Sequence, residues 1–171
     1  SAITKSAVAV AGRQGVRVTP TGVDGGLYQN ASLTAGTTYT VAWTLDFSGW
    51  AATALRVQVN HGTASIVDID SAGALTNLSG GTAIVDALGS GRYRVKLTFV
   101  ATNTGGAQHF VFAGAGGNGA LYFDVGLPQL EAASTASSYI PTAGASATRA
   151  GDDAYVDVAT WLPALSMTNA T

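Results

Sequence analysis

Apolar and polar residues alternate with a period of two in several stretches of this chain. In YTVAWTLDF, Tyr39, Val41, Trp43, Leu45 and Phe47 fall on one face, and Thr40, Ala42, Thr44 and Asp46 on the other. That is the pattern of a strand with one face on a core. LRVQVNH repeats it, with Leu55, Val57 and Val59 against Arg56, Gln58 and Asn60. RYRVKLTFV does so again, with Tyr93, Val95, Leu97 and Phe99 against Arg92, Arg94, Lys96 and Thr98. These segments predict strands of one sheet. Turn signals separate them at Asp24 (DGG), Ala35 (AGT), Ser71 (SAG), Ser79 (SGG), Gly89 (GSG) and Asn103 (NTGG). Apolar residues at helical spacing do not persist over three turns anywhere, and only Asp152 to Leu162 has room for a helical turn or two. The fold expected is all-β, an antiparallel β-sandwich of the jelly-roll kind.

Composition narrows the partners. A chain of 171 residues can bury a core without staples. Its charged residues make up 11% and it holds 22 glycines, which suits short strands and tight turns better than ion-paired surface helices. The net charge of -2 and eight scattered basic residues give no footprint for nucleic acid or anionic lipid. With no cysteine there is no disulfide and no thiolate site. The charge-free run between Lys96 and Asp124 carries Asn103, Gln108, His109, Asn118 and many glycines, so membrane insertion is not expected. The patch from Ala7 to Ala11 is too short for a secretory signal core.

Candidate chemistry is sparse. Gly114-x-Gly116-x-x-Gly119 has dinucleotide-loop spacing, but it runs from HFVF into LYFDV, both strand-like, where a pyrophosphate site needs a following helix. A hairpin connection is expected. Asp68, Asp70 and Gly73 match three positions of a calcium loop, while Ala72 and Ser79 stand where oxygen ligands belong. A structural calcium held by nonlocal ligands stays open beside a plain polar turn. Glu131, the only Glu, has no evident carboxylate partner for glycoside hydrolysis. His61 and His109 are isolated, and Ser90 in LGSGR reads as a turn rather than a nucleophile elbow. No enzymatic activity and no cofactor are expected.

Aromatic residues carry the remaining signal. Trp43 is in phase with the apolar face and is expected in the core. Trp50 follows Ser48-Gly49 in a loop, where an indole either stacks on a sugar ring or packs against the loop or another subunit. Arg56, Gln58 and Asn60, joined by Arg94 and Lys96, form either a sugar-binding face or a merely solvated one.

Three segments resemble a known family. GLPQLEAASTASSYIPTAGASATRAGDD, Gly126 to Asp153, is similar to the closing segment of jelly-roll domains in bacteriophage tail fibres and related virion proteins, themselves similar to carbohydrate-binding modules. LYQNASLTAGTTYTVAW resembles that family's second main strand with its preceding turn, and GSGRYRVKLTFVAT its Gly-aromatic-Arg strand. In PQLE, Pro128 lacks an N–H and suits a closing edge strand. The resemblance implies an extracellular virion setting and a noncatalytic domain that adheres to cell-surface carbohydrate; it carries over no binding residue, and Trp50, Arg56, Gln58 and Asn60 are the site expected from the loop indole and the polar strand face. It equally admits a structural domain that packs against other fibre or virion domains or forms a homotrimer. The expected organisation is a domain over residues 1–153, then a linker or the start of another domain over 154–171. Trp161, Leu162, Leu165 and Met167 in that tail are expected to pack on a neighbour, as in a piece of a longer fibre protein.

Overall fold

The computed structural model describes residues 3–20, 26–50, 54–113 and 121–139, without the side chains of 108–113. The described strands are β1 (Ile3–Val10), β2 (Arg13–Pro20), β3 (Gly26–Leu33), β4 (Thr38–Asp46), β5 (Leu55–His61), β6 (Thr63–Ile69), β7 (Leu75–Ser79), β8 (Thr82–Gly89), β9 (Arg92–Val100), β10 (Gly105–Ala113) and β11 (Phe123–Glu131). They form a six-stranded sheet, β1-β2-β11-β4-β9-β8, and a five-stranded sheet, β3-β10-β5-β6-β7. Neighbours in both sheets are antiparallel. The fold is an all-β antiparallel sandwich.

The alternating segments become β4, β5 and β9 as their periodicity predicts, but in two sheets rather than one. β4 pairs with β9, while β5 lies between β10 and β6 in the opposing sheet. Tyr39, Val41, Trp43, Leu45 and Phe47 therefore meet Leu55, Val57 and Val59 across the core, all at most 9% exposed. Each such side chain removed from water contributes about 1.5–3 kcal/mol against the entropy of ordering the chain.

β4 departs from half-burial. Thr40, Ala42 and Thr44, on its other face, are also buried. The segment after β11 crosses over Thr40, whose Oγ1 donates to the Ala133 carbonyl at 2.9 Å and lies 2.8 Å from Thr98 Oγ1. Arg94 reaches over from β9 to Thr44 Oγ1.

β11 is a central strand between β2 and β4, not the edge strand that Pro128 implied. The proline fits because the β4–β11 ladder shifts register between Gly126 and Gln129, a bulge that skips Leu127 and Pro128. Leu127 takes a φ of 51° there. The Arg94 guanidinium donates to its carbonyl and, at 2.9 Å, to Gln129 Oε1.

β10 and β11 lie in opposite sheets, so their connection is a crossover and not the expected hairpin. The glycines from Gly114 to Gly119 themselves fall outside the described residues, as do the boundary expected at 153 and the tail. The chain divides into a compact unit Ser1–Tyr139 and a second, Ile140–Thr171.

Candidate functional site

The alternation that buries Leu55, Val57 and Val59 leaves Arg56, Gln58 and Asn60 on the outer face of β5, as their spacing predicts. Register extends that face. Asn60 and Asn30 both pair with Gln108, and Gln58 and Tyr28 both pair with Phe110. Directly opposed residues share a face, so Tyr28 and Asn30 of β3 belong to the same surface. On the other side, Asp68 of β6 opposes Arg56, and Asn77 of β7 opposes Asp68. Tyr28 is 61% exposed. At one end of the surface Asn30, Asn60, Gly62, Gly106 and Ala107 line a depression of about 430 Å³, a volume typical of small-ligand sites.

Two local pairings set the chemistry. Gln58 Nε2 donates to Asn60 Oδ1 at 2.6 Å. Arg56 forks onto Asp68, Nε to Oδ1 at 2.6 Å and Nη2 to Oδ2 at 2.8 Å, and Asn77 Nδ2 adds a third bond at 3.2 Å. Burial pushes the Asp68 carboxyl up, but the bonds from Arg56 and Asn77 and the guanidinium charge outweigh it, so the group is held below the usual carboxylate range. The pair is ionised and electrically balanced.

Asp70 has a different task. Its Oδ1 accepts the backbone N–H groups of Ala72 at 2.9 Å and Ala74 at 2.8 Å, an Asx cap on the turn between β6 and β7. Asp68 and Asp70 thus serve an arginine and a turn. Among the described residues no three His, Asp or Glu side chains gather as a metal site would require.

Trp50 does not join this surface. Its N–H bonds to the Phe47 carbonyl at 2.9 Å, and the turn through Ser48-Gly49 sends the indole inward, edge-on to Phe123 at 5.7 Å. At 1% exposure it has no face to offer a sugar. Gly49 is required there because the Tyr122 ring lies 2.3 Å from where a Cβ would stand, with Arg17 stacked 3.7 Å above that ring. Arg94 and Lys96 belong to β9, in the other sheet, so they form no common face with β5. Tyr28 and Asn30 escaped the sequence reading, although the alternation of Tyr28, Asn30 and Ser32 with Leu27, Ala31 and Leu33 carried the signal.

Other polar clusters are internally engaged. Glu131 accepts Ser137 N–H at 2.7 Å and bonds from Gln129 Nε2 and Ser137 Oγ, which pins the segment after β11. His61, 4% exposed, stacks on Phe99 with centroids 4.7 Å apart. Thr102 N–H donates to its Nδ1 at 3.2 Å, so Nε2 carries the proton and donates to Ser65 Oγ at 2.9 Å. Ser65 Oγ in turn donates to the Gly80 carbonyl at 2.7 Å. Burial lowers the His61 pKa below its usual 6.5. No protein-family model matches the chain, and no curated protein matches its sequence.

Proposed function

We propose that this is a noncatalytic glycan-binding domain, of jelly-roll type, through which a phage tail fibre or related virion protein adheres to carbohydrate on a host cell. One observation carries the binding reading: the outer face of the five-stranded sheet brings Tyr28, Asn30, Gln58 and Asn60 together beside a depression of about 430 Å³. An exposed aromatic ring offers a stacking surface, and side-chain amides both donate and accept toward hydroxyl groups. The virion setting rests on the resemblance of the three segments. A single shallow site binds at about millimolar Kd, and repeated copies on a fibre raise the effective affinity.

Titration of the intact chain, displayed in multiple copies, against host-derived polysaccharides tests this. Binding that weakens in Tyr28→Ala and Asn30→Ala, with near-ultraviolet circular dichroism unchanged, is expected. Failure of the multivalent wild type to bind any of them would overturn it.

A specific observation favours a second reading, assembly. Leu75 and Leu78 on β7 and Ile84 and Leu88 on β8 are all more than 40% exposed, on edge strands of the two sheets that touch each other. If this edge packs on another fibre domain or on a second copy, sedimentation gives a concentration-dependent mass that Ile84→Lys abolishes.

A further inference from the structure

We infer that the outer face of the five-stranded sheet selects neutral, hydroxyl-rich glycans and rejects acidic ones; this rests on the glycan-binding reading above. Among the described strand residues of that face the charged side chains are Arg56 and Asp68, and each neutralises the other through two bonds of 2.6 and 2.8 Å. The Asp68 side chain is only 14% exposed and that of Arg56 31%. A uronate or sialate carboxylate seeking Arg56 would have to displace a half-buried carboxylate already in bidentate geometry and would leave Asp68 without its cation. Removing one partner of such a pair is costly, so the exchange is unfavourable.

The uncharged groups are arranged for hydroxyls. One Gln58 Nε2 hydrogen goes to Asn60 Oδ1, so the two side chains retain the second Nε2 hydrogen and the Oε1 acceptor of Gln58 and the Nδ2 donors of Asn60. Neighbouring sugar hydroxyls each donate and accept, which matches a donor and an acceptor held side by side. Asn30, across the depression from Asn60, adds a second amide, and the Tyr28 ring supplies the apolar contact. None of these groups favours an anion over a neutral ring.

The test compares the intact chain against neutral polymers (dextran, galactan, mannan) and acidic ones (polygalacturonate, polysialate) by affinity electrophoresis at two salt concentrations. We expect retardation by a neutral polymer that is insensitive to salt. Asn60→Ala should weaken it about fivefold or more, the worth of one lost hydrogen bond. Asp68→Asn removes the carboxylate held bidentate by Arg56 and should add salt-sensitive binding to an acidic polymer that the wild type lacks. Wild-type preference for an acidic polymer, or unchanged neutral binding by folded Asn60→Ala, would overturn the inference while leaving glycan binding intact. Retardation by no polymer would overturn the binding reading itself.

Discussion

Burial of the Trp50 indole against Phe123 fixes the start of the connection between β4 and β5. Truncation there leaves a large cavity, so Trp50→Ala should lower stability by about 3–5 kcal/mol, read as a fall in the denaturant midpoint. Gly49→Ala should also destabilise, since the added Cβ would run into the Tyr122 ring and force it off its stack with Arg17. A binding role for Trp50 would predict the reverse, lost affinity at unchanged stability. A tryptophan beside Ser-Gly is compatible with either side of a loop, because residue type there does not fix direction. Arg56, Gln58 and Asn60 were legible for the opposite reason: period two inside a strand dictates which way each points. Their pairing partners, Asp68 and Asn77, come from other strands, and register between strands is set by the whole sheet rather than by local spacing.

At the level of elements, the bulge in β11 depends on one side chain from β9. Arg94 donates to Thr44 Oγ1, the Leu127 carbonyl and Gln129 Oε1, and burial lowers its pKa. Arg94→Met should cost about 1–3 kcal/mol by leaving those acceptors without a donor. Arg94→Lys should rescue little, because an ammonium lacks the fork that spans both strands. Denaturant midpoints of the two variants check this, and a lysine variant as stable as wild type would refute the geometry. The strands themselves were readable from alternation, as β4, β5 and β9 show. Burial of Thr40 and Thr44 was not, since Thr40 is covered by residues after Glu131 and Thr44 is met by Arg94 of β9, both far along the chain. Nor did Pro128 reveal its bulge, because a missing N–H suits an edge and a skipped ladder equally.

For the whole molecule, His61 makes stability depend on pH. Its neutral ring links the β5–β6 turn to Thr102 after β9 and, through Ser65, to Gly80 between β7 and β8. Protonation would place an N–H on Nδ1 against the Thr102 N–H. With a folded pKa below 6.5, the unfolded chain binds more protons as the pH falls beneath that value. Stability from this group is therefore complete above pH 6.5 and declines below it, by at most about 1.4 kcal/mol per pH unit. Denaturation of wild type and His61→Gln between pH 7.5 and 5 should show a falling midpoint in the former and a flatter one in the latter; parallel curves would exclude the effect. Asp68, whose pKa is held low, adds a separate loss only in more acid solution, as the pH falls beneath its usual 3.8.

The segment after β11 covers Thr40 of β4 and so closes part of the outer face of the six-stranded sheet, while the polar front lies on the other sheet. Both lysines of the chain lie on the back sheet, Lys5 on β1 and Lys96 on β9, where Lys96 is bound to Asp86. Coupling to a bead or sensor chip through lysine amines consequently holds the domain by its six-stranded sheet, at the edge strand β1 or at β9, and leaves Tyr28, Asn30 and Asn60 of the other sheet unmodified. Attachment through a cysteine introduced at Gln58 would do the opposite, and the two preparations would differ in capacity for ligand while being equally folded.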